Sequence, residues 1–235
     1  MTRYYYDDPH FGRVYINLRR DARRLIARWK DGHLNVTLPV GSTLTDLKQF
    51  LSSSQTSIDK LNHSTVSYHR GQVIQCFGCT ATLAEQNRLP RQIIFGHNGN
   101  DVTLSVPQGL DWESDSVKRS ISSALQVVMG DQARTLLIAH AREVSRRLGV
   151  APRGWQIGRG LKKLGHCTSQ GVIQLSRALM FLPEELVDLT ICHELAHLSH
   201  FDHSPAFHAL LNQYLGGREA ELELKLKNFQ WPILR

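Results

Sequence analysis

The sequence predicts an α+β fold with an N-terminal antiparallel β-sheet lobe and a C-terminal helical lobe. Apolar and polar residues alternate with the period of a half-buried strand over residues 13–40 and 71–106. From residue 117 onward the apolar spacing becomes helical, and a His-Glu-x-x-His motif at 193–197 lies in a second helical segment. Strands therefore come first and helices later along the chain, which is typical of α+β proteins.

The N-terminal lobe is expected to contain two groups of strands. The alternation over residues 13–40 predicts three antiparallel strands with one buried face, and Asp31-Gly32 is typical of a type I′ turn between the last two. A second group is predicted over residues 71–106, where Asn98-Gly99 indicates another hairpin turn.

Two helices can be placed by their end signals. Thr43 and Asp46 have the spacing of a capping box, which predicts a short helix after Thr43. Apolar residues recur at helical spacing over 117–148, and Gly149 is a typical C-terminal stop. Gly130 lies inside this long segment, where glycine is expected to weaken or divide a helix.

The helices of the C-terminal lobe follow. The His-Glu-x-x-His segment is predicted to form a buried helix that begins at Pro183 and ends near residues 200–202. Ser204-Pro205 has the pattern of an N-cap followed by a first-turn proline, so another helix is expected from Pro205 until Gly216-Gly217. Residues 219–227 are ambiguous, because their alternation suggests a strand while their residue types favour a helix.

Length and composition are those of an ordinary globular protein. The chain has 235 residues, of which 41% are hydrophobic and 21% charged, and we divide it into lobes of 1–110 and 111–235 within one continuous domain. It contains neither the pattern of a secretory signal nor a run of about 18 apolar residues, so we expect a cytoplasmic protein without a membrane helix. The formal net charge of +7 favours anionic partners, although a solvated basic surface explains it equally well.

His193, Glu194 and His197 carry the clearest chemical signal in the chain. The two histidines are four residues apart, so on a helix they lie on one face, one turn from each other. This spacing suits two imidazoles that bind one small cation, usually Zn²⁺, with Glu194 beside it to take a proton from metal-bound water. The pattern predicts a catalytic metal site, because Glu194 stands where a general base is needed.

A third metal ligand is needed, and His203 is the favoured candidate. On an unbroken helix His200 would lie about 10 Å along the axis from His193, which is too far to share an ion. His203 falls in the predicted turn, from which it can reach back under the helix and complete a set of three histidines. The alternatives are carboxylates farther along the chain, namely Glu219, Glu221 and Glu223.

A basic segment precedes the motif helix and offers candidate substrate-binding residues. His166 could stabilise an oxyanion or contact a phosphate, and Lys163 could neutralise negative charge, although a solvated loop is the simpler interpretation. Cys167 could line a pocket or be an inert buried thiol. Other basic residues of the same segment are Arg153, Arg159 and Lys162.

The motif segment as a whole resembles a known family. His193-Glu-Leu-Ala-His197, five further residues and then His203-Ser-Pro-Ala-Phe207 resemble the YgjP-like family of zinc metallopeptidases, itself similar to the SprT-like zinc proteases. Residues 163–175 resemble the upstream signature of that family, with Leu164 in place of a tryptophan and His166 in place of a serine. The signature positions that match are Gly165, Cys167, Gly171, Ile173 and Leu175.

This resemblance implies a zincin-like C-terminal lobe, Zn²⁺ as cofactor, and hydrolysis of either a peptide or a nucleotide. Some members of the family are described as nucleoside triphosphate pyrophosphatases that act on UTP, and a zinc-bound hydroxide can attack a phosphorus as well as a carbonyl. The similarity to SprT-like proteins implies an alternative, a nucleic-acid-associated zinc protein that docks through basic strands. Residues 19–30 are basic, but Trp29 is the only aromatic residue among them that could stack on a base.

Overall fold

The computed structural model describes residues 4–30, 33–62, 66–89 and 91–234. The protein has the predicted α+β class, with both sheets and helices. It divides into two compact units between residues 65 and 66, whereas the sequence analysis drew the boundary after residue 110. The division comes earlier because the second group of strands shares a core with the long helix, so that Leu83 and Leu104 are buried together with Ile121.

The N-terminal unit contains a four-stranded sheet and two helices. Its elements are β1 (Tyr4–Asp8), β2 (Gly12–Arg19), β3 (Ile26–Lys30), β4 (His33–Pro39), α1 (Leu44–Ser53) and α2 (Gln55–Asn62). The strand order is β1-β2-β4-β3, and β2 and β4 are parallel neighbours, so the prediction of three antiparallel strands was wrong for this pair. The connection 20–25 explains the difference, because it crosses the end of β4 instead of closing a hairpin. The predicted Asp31-Gly32 turn lies outside the described residues.

The alternation of side chains along these strands decides which face the helices cover. Val14 and Leu34 are fully buried and belong to one apolar cluster with Leu47 of α1. The predicted capping box of α1 is confirmed: the Asp46 backbone N–H donates to the Thr43 hydroxyl, and the Thr43 backbone N–H donates to the Asp46 carboxylate. The residues between the buried ones point to the opposite face of the sheet.

The second unit begins with another four-stranded sheet of the same order. Its strands are β5 (Val73–Cys76), β6 (Cys79–Gln86), β7 (Ile94–Asn98) and β8 (Asp101–Pro107), arranged β5-β6-β8-β7. Its central pair, β6 and β8, is again parallel. The predicted hairpin between β7 and β8 is present, but its turn consists of Gly99 and Asn100, one residue later than predicted, and Gly99 adopts a φ of 60°.

A long helix, α3 (Asp115–Leu148), follows this sheet and forms part of the same core. Gly130 does not divide it. A Cβ at position 130 would lie 3.2 Å from Cδ of Arg177, so glycine leaves room for that side chain to cross the helix. Gly149 ends α3 in the left-handed conformation, with a φ of 68°, as the sequence predicted.

The remaining elements include those that carry the His-Glu-x-x-His motif and its flanking segments. They are β9 (Gly154–Gly158), β10 (Gly165–Cys167), β11 (Val172–Ser176), a 3₁₀ turn (Arg177–Phe181), α4 (Glu184–Ala196), α5 (Pro205–Tyr214) and α6 (Glu219–Lys227). The strands form a sheet of order β10-β11-β9, in which β10 is an edge strand antiparallel to β11. Helix α4 packs against β10.

The helices of this region begin and end partly where the sequence predicted. Helix α4 ends at Ala196, earlier than predicted, because His197 caps it and the chain then turns so that the His197 ring bonds the carbonyl of His200. Helix α5 begins at Pro205 as predicted, and residues 219–227 form a helix. Within the part of the chain that the structure describes, no helix is both long and apolar enough to cross a membrane.

Candidate metal centre

Three histidine side chains converge where α4 ends. His193 lies in the last turn of α4, His197 caps that helix, and His203 lies in the turn before α5. The Nε2 atom of His193 is 3.2 Å from Nε2 of His197 and 3.2 Å from Nε2 of His203. Two nitrogens that share a tetrahedral zinc ion at about 2.0–2.1 Å lie roughly 3.3 Å apart. The spacing of these donors therefore fits one metal ion.

The start of α5 positions the third histidine. The Ser204 hydroxyl accepts a hydrogen bond from the Phe207 backbone N–H, and Pro205 occupies the first helical turn. Phe207 is fully buried, and its ring centroid lies 4.6 to 4.9 Å from those of His193, His197 and His203. Phe207 thus packs against all three imidazoles, a role that the sequence analysis did not predict.

The hydrogen bonding and charge state of the histidines also suit metal binding. Nδ1 of His197 lies 3.0 Å from the His200 carbonyl oxygen, to which it donates, so Nε2 keeps its lone pair. Burial lowers the pKa of His193 to about 4, and the neighbouring histidines act in the same direction. Burial also lowers the pKa of His197. Because metals bind the neutral imidazole, these environments favour the form of the ring that can act as a ligand.

Glu194 is buried against β10 and is incompletely hydrogen-bonded. Its side chain is only 5% exposed, and Oε2 has no hydrogen-bond partner among the described residues. Burial raises the pKa of Glu194 to about 7, although the backbone N–H of Cys167 and the charge of Lys163 act in the opposite direction. A buried carboxylate oxygen without a partner is rare, and here it is available to a group that enters the site.

Gly165 allows this close approach between α4 and β10. A Cβ at position 165 would overlap Oε1 of Glu194 and would lie 2.7 Å from its Cδ. No other residue type could therefore occupy this position without displacing the carboxylate. Gly165 was noted as a signature position, but its contact with Glu194 joins segments that are distant in sequence.

We expect Gly165→Ala to lower kcat by about 100-fold, because a displacement of a catalytic group by about 1 Å has an effect of this size. Metal content should not change, since the three atoms nearest to the new Cβ all belong to Glu194 and not to a histidine. The matched control is Gly154→Ala in β9 of the same sheet, where the new Cβ would lie 4.0 Å from Cγ1 of Val172, an ordinary contact. Equal kcat values for the two variants would contradict the positioning role.

The candidate substrate-binding residues flank Gly165, the residue that contacts Glu194. Lys163 is close enough for its charge to affect the pKa of Glu194, and His166 is close enough to affect that of His197. Both residues are exposed and line a cavity of about 400 Å³. The other residues that line it are Gly158, Gly160, Leu161, Lys162, Gly165, Gln174 and Ser176.

Two of the glutamates considered as alternative third ligands interact with other residues. Oε1 of Glu219 is 2.5 Å from Nδ1 of His208, and Glu221 forms ion pairs with Arg218 and Lys225. Of the three downstream glutamates, none belongs to the group of donors that contains His193. Among the candidates for the third ligand, the structure thus brings His203 to the other two histidines.

Comparison with known proteins shows the family of the chain. The family model described as "YgjP-like, metallopeptidase domain" matches residues 23–228. The chain belongs to the YgjP-like family. The match confirms the resemblance of the motif segment and indicates a metallopeptidase-like, metal-dependent hydrolase.

Similarity to solved structures and to curated proteins is low or absent. One solved structure, the metallopeptidase zymogen of Pyrococcus abyssi abylysin, is 24% identical to this YgjP-like protein and covers 40% of this chain and 95% of its own, with a TM-score of 0.34. This similarity is too low to inform the fold or the mechanism. A search of curated proteins found no match.

Proposed function

We propose that this YgjP-like protein is a zinc-dependent peptidase in which His193, His197 and His203 hold Zn²⁺ and Glu194 is the general base. The observation that carries the proposal is the convergence of three imidazole nitrogens at the end of α4, where the next residue after His193 is a buried glutamate whose Oε2 has no partner among the described residues. When bound, Zn²⁺ supplies a Lewis acid that polarises the scissile carbonyl and lowers the pKa of a water.

The residues of the chain move and hold the proton. Oε2 of Glu194 accepts a proton from the attacking water and later delivers it to the amine that leaves when the peptide C–N bond breaks. The backbone N–H of Cys167 donates a hydrogen bond that holds the carboxylate in position during both transfers. Gly165 leaves the space that the carboxylate occupies. Phe207 supports the histidine rings from the buried side.

The edge strand β10 favours an extended peptide as substrate. It pairs with β11 on one side and with no strand on the other, within the residues that the structure describes. An extended peptide can add to such an edge by backbone hydrogen bonds, which would place its carbonyl groups along the strand that also contacts Glu194.

One observation favours a second candidate, hydrolysis of a nucleoside triphosphate with release of pyrophosphate. A cavity on the segment that contains Gly165, the residue in contact with Glu194, is lined by Lys162, Lys163 and His166, and Arg159 lies in the same loop. Among the described residues, the side chains of Lys162, Lys163 and Arg159 form no ion pair, so their positive charge is available to bind an anion. The alternative of a SprT-like, nucleic-acid-associated protein requires a surface that binds nucleic acid, and the basic strands proposed for it lie in the N-terminal unit.

The decisive experiment offers both substrate classes to zinc-loaded protein. We expect cleavage of a quenched-fluorescent peptide library, loss of that cleavage in Glu194→Gln, and no pyrophosphate from a panel of nucleoside triphosphates. Pyrophosphate release that requires Glu194, with a raised KM in Lys163→Ala, would instead establish the second candidate. A preparation that holds one equivalent of zinc and releases neither product would contradict both.

A further inference from the structure

The face of the N-terminal sheet that α1 and α2 leave uncovered carries aromatic and basic side chains. Tyr5 of β1 pairs with Tyr15 of β2, Tyr15 pairs with Asn35 of β4, and Asn35 pairs with Arg28 of β3. These four residues therefore form one row across the whole sheet. Their neighbours along the strands, such as Val14, point to the buried side.

Ring and cation contacts organise this face. The Tyr15 ring lies 5.3 Å from that of His33, edge to face. The Arg13 guanidinium lies 4.5 Å above the Tyr5 ring and is 3.1 Å from the Asp7 carboxylate. Tyr5 is nevertheless 55% exposed, so much of its ring remains accessible to another planar group.

Positive charge borders the aromatic row. Arg28 ends the row, and Arg20, Arg23 and Arg24 lie in the connection 20–25 that crosses the end of the sheet. All four are exposed, and none has an ion-pair partner among the residues that the structure describes. Arg19, in contrast, is neutralised by Asp21 at 2.6 Å.

The second sheet shows that the topology alone does not require such a face. Its strands have the same order, and the equivalent row across it consists of Val73, Thr82, Thr103 and Gly96. That row contains no aromatic residue and no charge. The aromatic and basic side chains are therefore a property of the first sheet and not of the strand arrangement.

We propose that this face binds single-stranded nucleic acid, with bases stacked on Tyr5 and Tyr15 and phosphates paired with the arginines. A sheet surface with one exposed and one half-buried ring, Tyr5 and Tyr15, and neighbouring cations suits unpaired bases, whose faces are accessible, better than a duplex, whose bases are already stacked. Trp29, the only aromatic residue within 19–30, takes no part, because its indole N–H donates to the Ile58 carbonyl. The stacking residues come instead from β1 and β2.

The test measures binding of a fluorescein-labelled 12-nucleotide single-stranded DNA to the full-length protein by anisotropy. Contacts to four phosphates predict that log K falls with log salt at a slope of about −3, a loss of roughly 50-fold between 50 and 200 mM. Tyr15→Ala should weaken binding by tenfold or more, the usual effect of losing one stacked base, and Tyr15→Phe should restore it.

Two control variants make the result specific. Thr82→Ala, at the equivalent position of the second sheet, should leave the affinity unchanged. Glu194→Gln should also bind normally, so this inference and the proposed hydrolysis can fail separately. Tighter binding of the matching duplex, an unchanged affinity of Tyr15→Ala, or no binding at 50 mM salt would each overturn the proposal.

Discussion

Replacing Glu194 by glutamine is expected to lower kcat by about 10³-fold, within the range usual for a general base. Glutamine has nearly the same shape, so it should fit against Gly165 as the carboxylate does. Its amide cannot accept a proton from water at neutral pH, however, and proton transfer is the role that the unpaired Oε2 atom supports. The measurement is kcat on the cleaved substrate, with zinc content determined on the same preparation.

The matched control is the same substitution at Glu184, which is exposed in the first turn of the same helix. Glu184→Gln should retain full activity, and both variants should hold one equivalent of zinc. If Glu194→Gln kept its zinc and turned over at the normal rate, the base would have to be another residue. His166 would then be the first residue to replace.

Local signals in the sequence were sufficient for several features that depend on residues close together in the chain. The four-residue spacing of His193 and His197, the Ser204-Pro205 helix start and the Gly149 helix stop each act within a turn or two. Their physical basis is backbone hydrogen bonding, which a short segment largely decides for itself. The histidine cluster could therefore be predicted before any packing was known.

Strand pairing and side-chain contacts between distant segments could not be predicted in this way. The parallel pairing of β2 with β4 depends on the path of the connection 20–25, which carries no turn signal. The fit of Glu194 against Gly165 depends on the packing of α4 on β10. A single sequence shows the residues of both segments but does not show which segments come into contact in the fold.

Helix α6 shows how a local signal can mislead. Its apolar residues alternate like those of a strand, yet within the helix Leu222 is buried while Leu224 is 60% exposed. The alternation arises because an exposed leucine happens to follow a buried one at a spacing of two. Glu219 at the start of this helix pairs with His208. Glu219, an alternative third metal ligand in the sequence analysis, is therefore engaged with His208 in the structure.

Replacing His203 by alanine is expected to weaken zinc binding by far more than the 10- to 100-fold that loss of a residue orienting a ligand usually causes. Two histidines of one helix would remain, and water would have to fill the other positions of the ion. Because His203 is exposed and its ring packs on Phe207 from the solvent side of the turn, the substitution should leave the fold intact. The measurement is competition for zinc with a chelator of known affinity, alongside circular dichroism.

Two further variants decide what a negative result would mean. His200 supplies a backbone carbonyl to the His197 ring, and alanine keeps that carbonyl, so His200→Ala should bind zinc like the unmodified protein. Glu219→Gln should do the same if the glutamate serves only His208. Stoichiometric zinc in His203→Ala together with weakened binding in Glu219→Gln would move the third ligand to α6. Zinc lost only in His203→Ala would identify the turn before α5 as the element that completes the centre, in agreement with the 3.2 Å between Nε2 of His203 and Nε2 of His193.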